Sequence, residues 1–222
     1  MSSKQNILLL TDSLGNPREE PEIVKADETW CDQIKRFFPE KTIYSINIRG
    51  MDTQNLIQEV EYIKNCFDPK IIILQVGIVD CTPRTMRKIE VAILKRMPLF
   101  ISNHVRSFLK RYRNAITKFR KITYVNKIKF GENLTYFKNE LCEAEIYAIP
   151  IMPPTENFIK KNKLIEKNIH MYNKILQEVF QDKFLESCYF NVDVNKISMS
   201  DDHHLNKKGH VHLFTIINKI LN

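Results

Sequence analysis

Asp201 and His204 stand three residues apart in Ser200-Asp201-Asp202-His203-His204-Leu205-Asn206. That spacing lets the carboxylate accept from the imidazole Nδ1–H and fix the tautomer, so that Nε2 faces outward as a base. A partner hydroxyl lies near the other end of the chain. Ser13, in Thr11-Asp12-Ser13-Leu14-Gly15, directly follows the apolar run Ile7 to Leu10. A serine at a strand-to-helix turn exposes its hydroxyl and aims its own backbone N–H at the same space. It can therefore attack a carbonyl and help hold the resulting oxyanion. Each block also has a plainer reading, because Ser and Asp cap helices and Asp and Asn populate turns. Asp201, Asp202, His203, His204, His210 and His212 form a dense set of potential metal ligands, but their spacing matches no named zinc pattern. The expectation is chemistry without a metal or other cofactor.

Glycine marks where backbone geometry matters. The chain has only five, and four of them (Gly15, Gly50, Gly77 and Gly209) share short segments with these polar residues or with similar ones. Gly131 reads as a plain turn.

The elements that must position these groups follow from periodicity. Ile7 to Leu10, Ile43 to Ile48, Ile71 to Val76, Ile146 to Ile151 and Tyr189 to Val194 read as strands. The first and third are near-continuous apolar runs, as expected of strands covered on both faces. Helical patterns lie between them, at about Thr29 to Phe38, Thr53 to Cys66, Leu134 to Cys142, Lys161 to Phe180 and Lys207 to Leu221. This alternation implies a parallel sheet with helices on both sides, whose sites lie beyond the carboxyl ends of the strands. A piece from about 83 to 129 interrupts the order as an insertion.

Length and composition fit one domain over 1–222, since 222 residues at 43% apolar content can bury a sizeable core. The apolar run after the N-terminus is too short for a signal peptide, and no stretch approaches a membrane span. Five widely spaced cysteines without a CxxC pair suggest neither disulfides nor structural zinc. A reducing cytoplasm is the expected location. Net charge is +8, and its source is local: Thr82 to Phe130 holds fourteen Lys and Arg against the single acid Glu90. Asn, Lys and Ile make up about a third of the chain, a composition that looks like the coding bias of an AT-rich bacterial genome. The seven arginines of that segment resist this explanation better than its lysines.

Taken together, Asp12-Ser13-Leu14, Gly50, Gly77-Ile78-Val79-Asp80 and Asp201 to Asn206 resemble, in order, the blocks of the SGNH hydrolase superfamily, the GDSL-type esterases and lipases. The resemblance implies a three-layer α/β/α sandwich with a five-stranded parallel, flavodoxin-like sheet. It also implies metal-free acyl chemistry with Ser13 as nucleophile, His204 as general base and then acid, and Asp201 as its orienter. The backbone N–H groups of Ser13 and Gly50 would line the oxyanion hole. Asp12, Asn16, Val79, Asp80 and Arg84 are expected around the substrate, with a second reading for Asp80 as a loop anchor.

Two positions depart from the family pattern. Thr11 stands where glycine usually precedes the Asp-Ser pair. Val79 replaces the asparagine whose side chain supplies a third oxyanion donor, a loss worth about 10²- to 10³-fold in rate. Asn16 and Arg84 are the nearest substitutes in sequence. The segment Gly77 to Arg84 also resembles a variant found in SGNH-like proteins of bacterial surface-polysaccharide clusters.

Three functions compete. An O-acyl esterase or deacetylase acting on an acylated sugar or surface-polysaccharide precursor is favoured over an O-acyltransferase using the same three residues and over a non-catalytic glycan-binding module. The substrate is a small-molecule or glycan acyl ester, and Arg84 could bind an anionic group on it bidentately, although a surface salt bridge is an equal reading. Cys81 reads as a packed apolar residue. The insertion interleaves Arg106, Lys110, Arg111, Arg113, Lys118, Arg120 and Lys121 with Phe108, Leu109, Tyr112, Ile116 and Phe119 at helical spacing. It could lid the site, rest on an anionic membrane surface, dock a polyanion, or be a solvated face; nucleic acid ranks below these because no recognised binding motif accompanies the charge.

Overall fold

A computed structural model of the protein describes residues 6–222. In chain order these form β1 (Asn6–Thr11), α1 (Trp30–Phe37), β2 (Thr42–Asn47), α2 (Thr53–Leu56), α3 (Val60–Phe67), β3 (Ile71–Gln75) and α4 (Ile78–Cys81). There follow α5 (Lys88–Arg96), α6 (Leu99–Arg111), α7 (Arg113–Arg120), α8 (Lys127–Glu140), β4 (Glu145–Ala148), α9 (Glu156–Lys161), α10 (Ile165–Phe180), α11 (Val194–Ile197) and α12 (Lys207–Leu221).

All strand pairs are parallel, in the order β2-β1-β3-β4, and Leu10 sits opposite both Ile46 and Leu74. Alternate residues of β1 feed opposite layers. Leu8 and Leu10 pack with Ile63, Leu134, Phe137 and Leu176 from α3, α8 and α10, while Ile7 and Leu9 pack with Trp30, Ile34, Leu213 and Ile217 from α1 and α12. This is a three-layer α/β/α sandwich, and burial on both faces is why β1 is apolar throughout. Each fully buried leucine of β1 contributes about 1.5–3 kcal/mol relative to exposure, so the strand that delivers Ser13 is firmly seated.

The expected strand at Tyr189 to Val194 is replaced by turns. Asn191 adopts the left-handed conformation at φ 55°, Phe190 is exposed, and the Asp193 side chain caps α11 by accepting from the Asn195 N–H. Beside β4 the sheet instead continues only as a parallel bridge from Ala148 to Phe184, with the Leu185 N–H donating to the Ala148 carbonyl at 2.9 Å. The helix expected over Thr53 to Cys66 is broken between α2 and α3. The one expected over Lys161 to Phe180 is broken at Asn162, whose side chain donates to the Pro83 carbonyl at 3.3 Å. Gly131 lies inside α8, which starts earlier than its apolar spacing suggested, rather than in a turn.

Between α4 and α8 the insertion folds as α5, α6 and α7. Its two ends are pinched together where the Arg84 N–H donates to the Ile122 carbonyl at 2.8 Å. Glu90 pairs with Arg120 at 2.5 Å and ties α5 to α7, while α6 leaves Leu99, Phe100 and Phe108 exposed. Among the described residues no helix is long and apolar enough to cross a membrane.

Candidate active site

Parallel strands bring their carboxyl ends to one edge, and the proposed chemistry gathers there. Past β1, Asp12 accepts from the Leu14 N–H at 2.9 Å and caps a short 3-10 turn over Ser13–Gly15. The turn presents Ser13 Oγ 3.1 Å from His204 Nε2, and His204 Nδ1 lies 2.6 Å from Asp201 Oδ2. Asp201 Oδ1 also accepts from the backbone N–H of His203 and His204, at 3.3 and 3.1 Å.

The loop carrying this pair is held from three directions. The Met199 N–H donates to the His204 carbonyl at 2.7 Å, closing the loop on itself. Asn206 caps α12 by accepting from the Gly209 N–H, and its amide donates to the Lys196 and Ser198 carbonyls. Asp202, left-handed at φ 74°, buries a carboxylate that accepts from Thr155 Oγ1, Asn157 Nδ2 and Lys161 Nζ. That last anchor fastens the loop to α9.

Burial lowers the pKa of His204 from its ordinary value; the hydrogen bond to Asp201 opposes this, and the charges of His203 and Arg18 add to it. The balance favours the neutral imidazole. At Asp201 burial works against ionisation, but the hydrogen bond and charge of His204 outweigh it and hold the carboxylate well below the usual range. The Arg18 guanidinium also touches His204 Nε2 directly. Its loop is set by a small antiparallel bridge in which Arg18 and Val24 exchange N–H and carbonyl at 2.8 Å.

Opposite the serine, Gly50 takes φ 71°, a left-handed turn that a side chain would disfavour. Among the described residues its N–H and that of Ser13 make no hydrogen bond. Gly77, at φ 117°, leaves no room for a Cβ, which would lie 2.7 Å from Ile151 Cδ1. This tight turn places Val79, whose side chain carries no donor, in the cavity wall. Asn16 turns instead toward the Asn47 carbonyl at 3.5 Å. The Thr11 hydroxyl is buried and donates to Asn47 Oδ1 at 3.0 Å, which explains how the end of β1 accommodates it.

A cavity of about 390 Å³ opens over Ser13 and His204, walled by Gly50, Val79, Arg84 and Phe158 among others. Asp12 and Asp80 do not reach it, a correction to the expectation that they contact substrate. Both are fully buried. Asp80 Oδ1 accepts from the Thr53 N–H and hydroxyl at 2.8 and 2.6 Å, so it ties the start of α2, just past Gly50, to α4, which carries Val79. Burial pushes Asp12 up to about 7 and Asp80 up to about 6. Cys81 is packed, its thiol pushed up by burial.

The cavity also holds residues that the sequence reading did not assign to the site: Arg18, Arg49, Arg113, Lys161 and His203. Arg49 adjoins Gly50, the one local signal that could have drawn attention to it. Asp201, His203 and His204 bring three potential ligand atoms within 4.8 Å of one another. Within that group Asp201 and His204 bond each other, while His203 Nδ1 lies 2.9 Å from the Asp201 carbonyl.

No family model and no curated protein matches the chain. Solved structures do. A lipase/acylhydrolase from Enterococcus faecalis superposes with a TM-score of 0.65 at 15% identity, over 98% of this chain and 95% of that one. TesA gives 0.61 at 12% identity over 98% of both chains. A catalytic mutant of Axe2, an acetylxylan esterase from Geobacillus stearothermophilus, gives 0.62 at 12% identity over 99% and 94%. At such identities the likeness speaks to architecture: three layers, a parallel sheet and helices on both faces, from end to end. The chain has the fold of the SGNH, or GDSL-type, hydrolases.

Proposed function

We propose that the protein is a serine-dependent O-acyl ester hydrolase whose substrate is an acylated sugar or surface-polysaccharide precursor. The hydrogen-bonded chain Ser13–His204–Asp201 carries this reading. Ser13 Oγ attacks the ester carbonyl carbon as His204 Nε2 takes its proton, and the N–H groups of Ser13 and Gly50 hold the oxyanion. The bond to the sugar oxygen then breaks, and His204 returns the proton to that oxygen. Water next attacks the acyl-serine, its proton passing through His204 to Ser13 Oγ as the acid leaves. Asp201 stabilises the imidazolium formed in each half without taking its proton. The sugar assignment draws support from the acetylxylan esterase among the similar structures and from the polar, cationic wall of the cavity.

Labelling with a fluorophosphonate, read by peptide mass spectrometry, tests the nucleophile. The expected adduct is on Ser13, and Ser13→Ala lowers hydrolysis of 4-nitrophenyl acetate by about 10³-fold or more. An unlabelled Ser13 with intact activity would remove the proposal. Product analysis with a sugar acceptor present separates hydrolysis, which releases free acid, from transfer by the same serine.

A further inference from the structure

Arg84 and Arg113 line two cavities at once: the one over Ser13 and a groove of about 460 Å³ formed by the insertion. The groove is lined by apolar Val91, Leu94 and Leu109 and by cationic Lys95, Arg106 and Lys110. No carboxylate lines it. In the catalytic cavity the one lining carboxylate, Asp201, is bonded to His204. Among the described residues Arg18, Arg49, Arg84 and Arg113 form no ion pair.

Exposed cations need no partner, because water serves them. Arg84 is different. Its Nε is buried without any acceptor, its Nη2 reaches only the Val79 carbonyl at 3.5 Å, and its guanidinium lies 4.4 Å from the centre of the Tyr124 ring. A largely buried guanidinium with no carboxylate beside it is costly, and an anion bound against it offsets that cost. The bridge between Arg84 and Ile122 fixes the Arg84 backbone at the mouth of the insertion, so this cation marks the junction of the two cavities.

We propose that the ester substrate carries a diphosphate, held by Arg84 and Arg113 at that junction, with its acylated part beside Ser13 and the remainder in the groove of the insertion. The first part rests on the ester-hydrolase reading; the anion site does not. One carboxylate would leave most of the cations unpaired, whereas a diphosphate presents several oxygens to successive guanidinium forks. A larger cavity of about 720 Å³ also borders Arg18 and Arg49, but Glu19 and Glu20 line it, so the uniformly cationic direction is toward the insertion. A nucleoside diphosphate and an isoprenyl diphosphate share this chemistry and differ only in what would fill the groove.

Titration calorimetry on the full chain with acetate, inorganic pyrophosphate, UDP and geranyl diphosphate tests the proposal. Pyrophosphate is expected to bind at least about tenfold more tightly than acetate, and Arg113→Ala to weaken it about tenfold or more. One of the two extended ligands should bind more tightly than pyrophosphate, and the Arg106→Ala/Lys110→Ala pair should erase that advantage; which ligand gains identifies the source as nucleotide or lipid. Lys64→Glu, on α3 and outside both cavities, should change affinity by less than about twofold. If Arg113→Ala fails to fold by circular dichroism, Arg113→Lys serves, since an ammonium cannot reproduce the bidentate fork. Absence of pyrophosphate binding, no loss in the Arg113 variants, or no gain from either extended ligand overturns the proposal. Pyrophosphate binding without a fluorophosphonate adduct on Ser13 would instead sink the hydrolase reading and leave the anion site standing.

Discussion

The guanidinium of Arg18 rests against Nε2 of His204, the nitrogen that also lies 3.1 Å from Ser13 Oγ. Two donors thus converge on one lone pair. In the proposed mechanism Ser13 and Arg18 compete for that lone pair, and the charge of Arg18 disfavours protonation of His204.

That charge fixes a pH prediction. Burial lowers the pKa of His204 against the pull of Asp201, and Arg18 lowers it further. A general base works when neutral, so activity is present above this pKa and lost as pH falls through it. The acid limb of kcat/KM on a neutral ester should therefore lie below the ordinary histidine value of 6.5. Arg18→Gln should move that limb to higher pH. A limb that stays in place would show that Arg18 does not face the base in solution.

Val79 offers a gain-of-function test. A donor missing from an oxyanion hole typically costs about 10²- to 10³-fold, and the backbone places residue 79 in the cavity wall. Val79→Asn is expected to raise kcat for 4-nitrophenyl acetate about tenfold or more, with a smaller change in KM. An unchanged or lower kcat in a folded variant would mean that another group already occupies the donor position.

The meeting of Ser13, Asp201 and His204 was legible because each lies in a short block at a strand end or in a loop before a helix. Parallel strands then bring the blocks to one edge. The cations were not legible in this way. Arg18 reaches His204 through a bridge to Val24, and Arg84 is aimed by the pinch to Ile122; such pairings leave little trace in periodicity. Tyr189 to Val194 alternates like a strand, yet Asn191 and Asp193 supply turn chemistry that outweighs the pattern. Asp12 and Asp80 read as substrate contacts because they adjoin the reactive loops, whereas their oxygens accept bonds from the Leu14 and Thr53 N–H groups.

The raised pKa values of those two carboxylates give a prediction for stability against pH. Asp12 has one oxygen buried without a partner and a pKa pushed up to about 7, far above its unfolded value of 3.8. Between these values the folded chain binds more protons than the unfolded one, so stability falls as pH rises. Asp12→Asn should flatten that decline by about 1–3 kcal/mol between acid and neutral pH. Urea melts at several pH values measure it, and an unaltered slope would assign the dependence elsewhere.

Metal sensitivity follows from the same loop. A zinc ion drawn to Asp201, His203 and His204, whose ligand atoms lie within 4.8 Å of one another, would compete for the groups that the base requires. It would take up the carboxylate that supports Nδ1 or the lone pair that accepts the serine proton, and so act as an inhibitor. EDTA should leave the rate unchanged, added zinc should lower it, and EDTA should restore it. His203→Ala should weaken zinc inhibition about tenfold, as loss of one ligand would. Activation by zinc, or inhibition by EDTA that zinc reverses, would replace serine catalysis at this loop with metal-assisted hydrolysis.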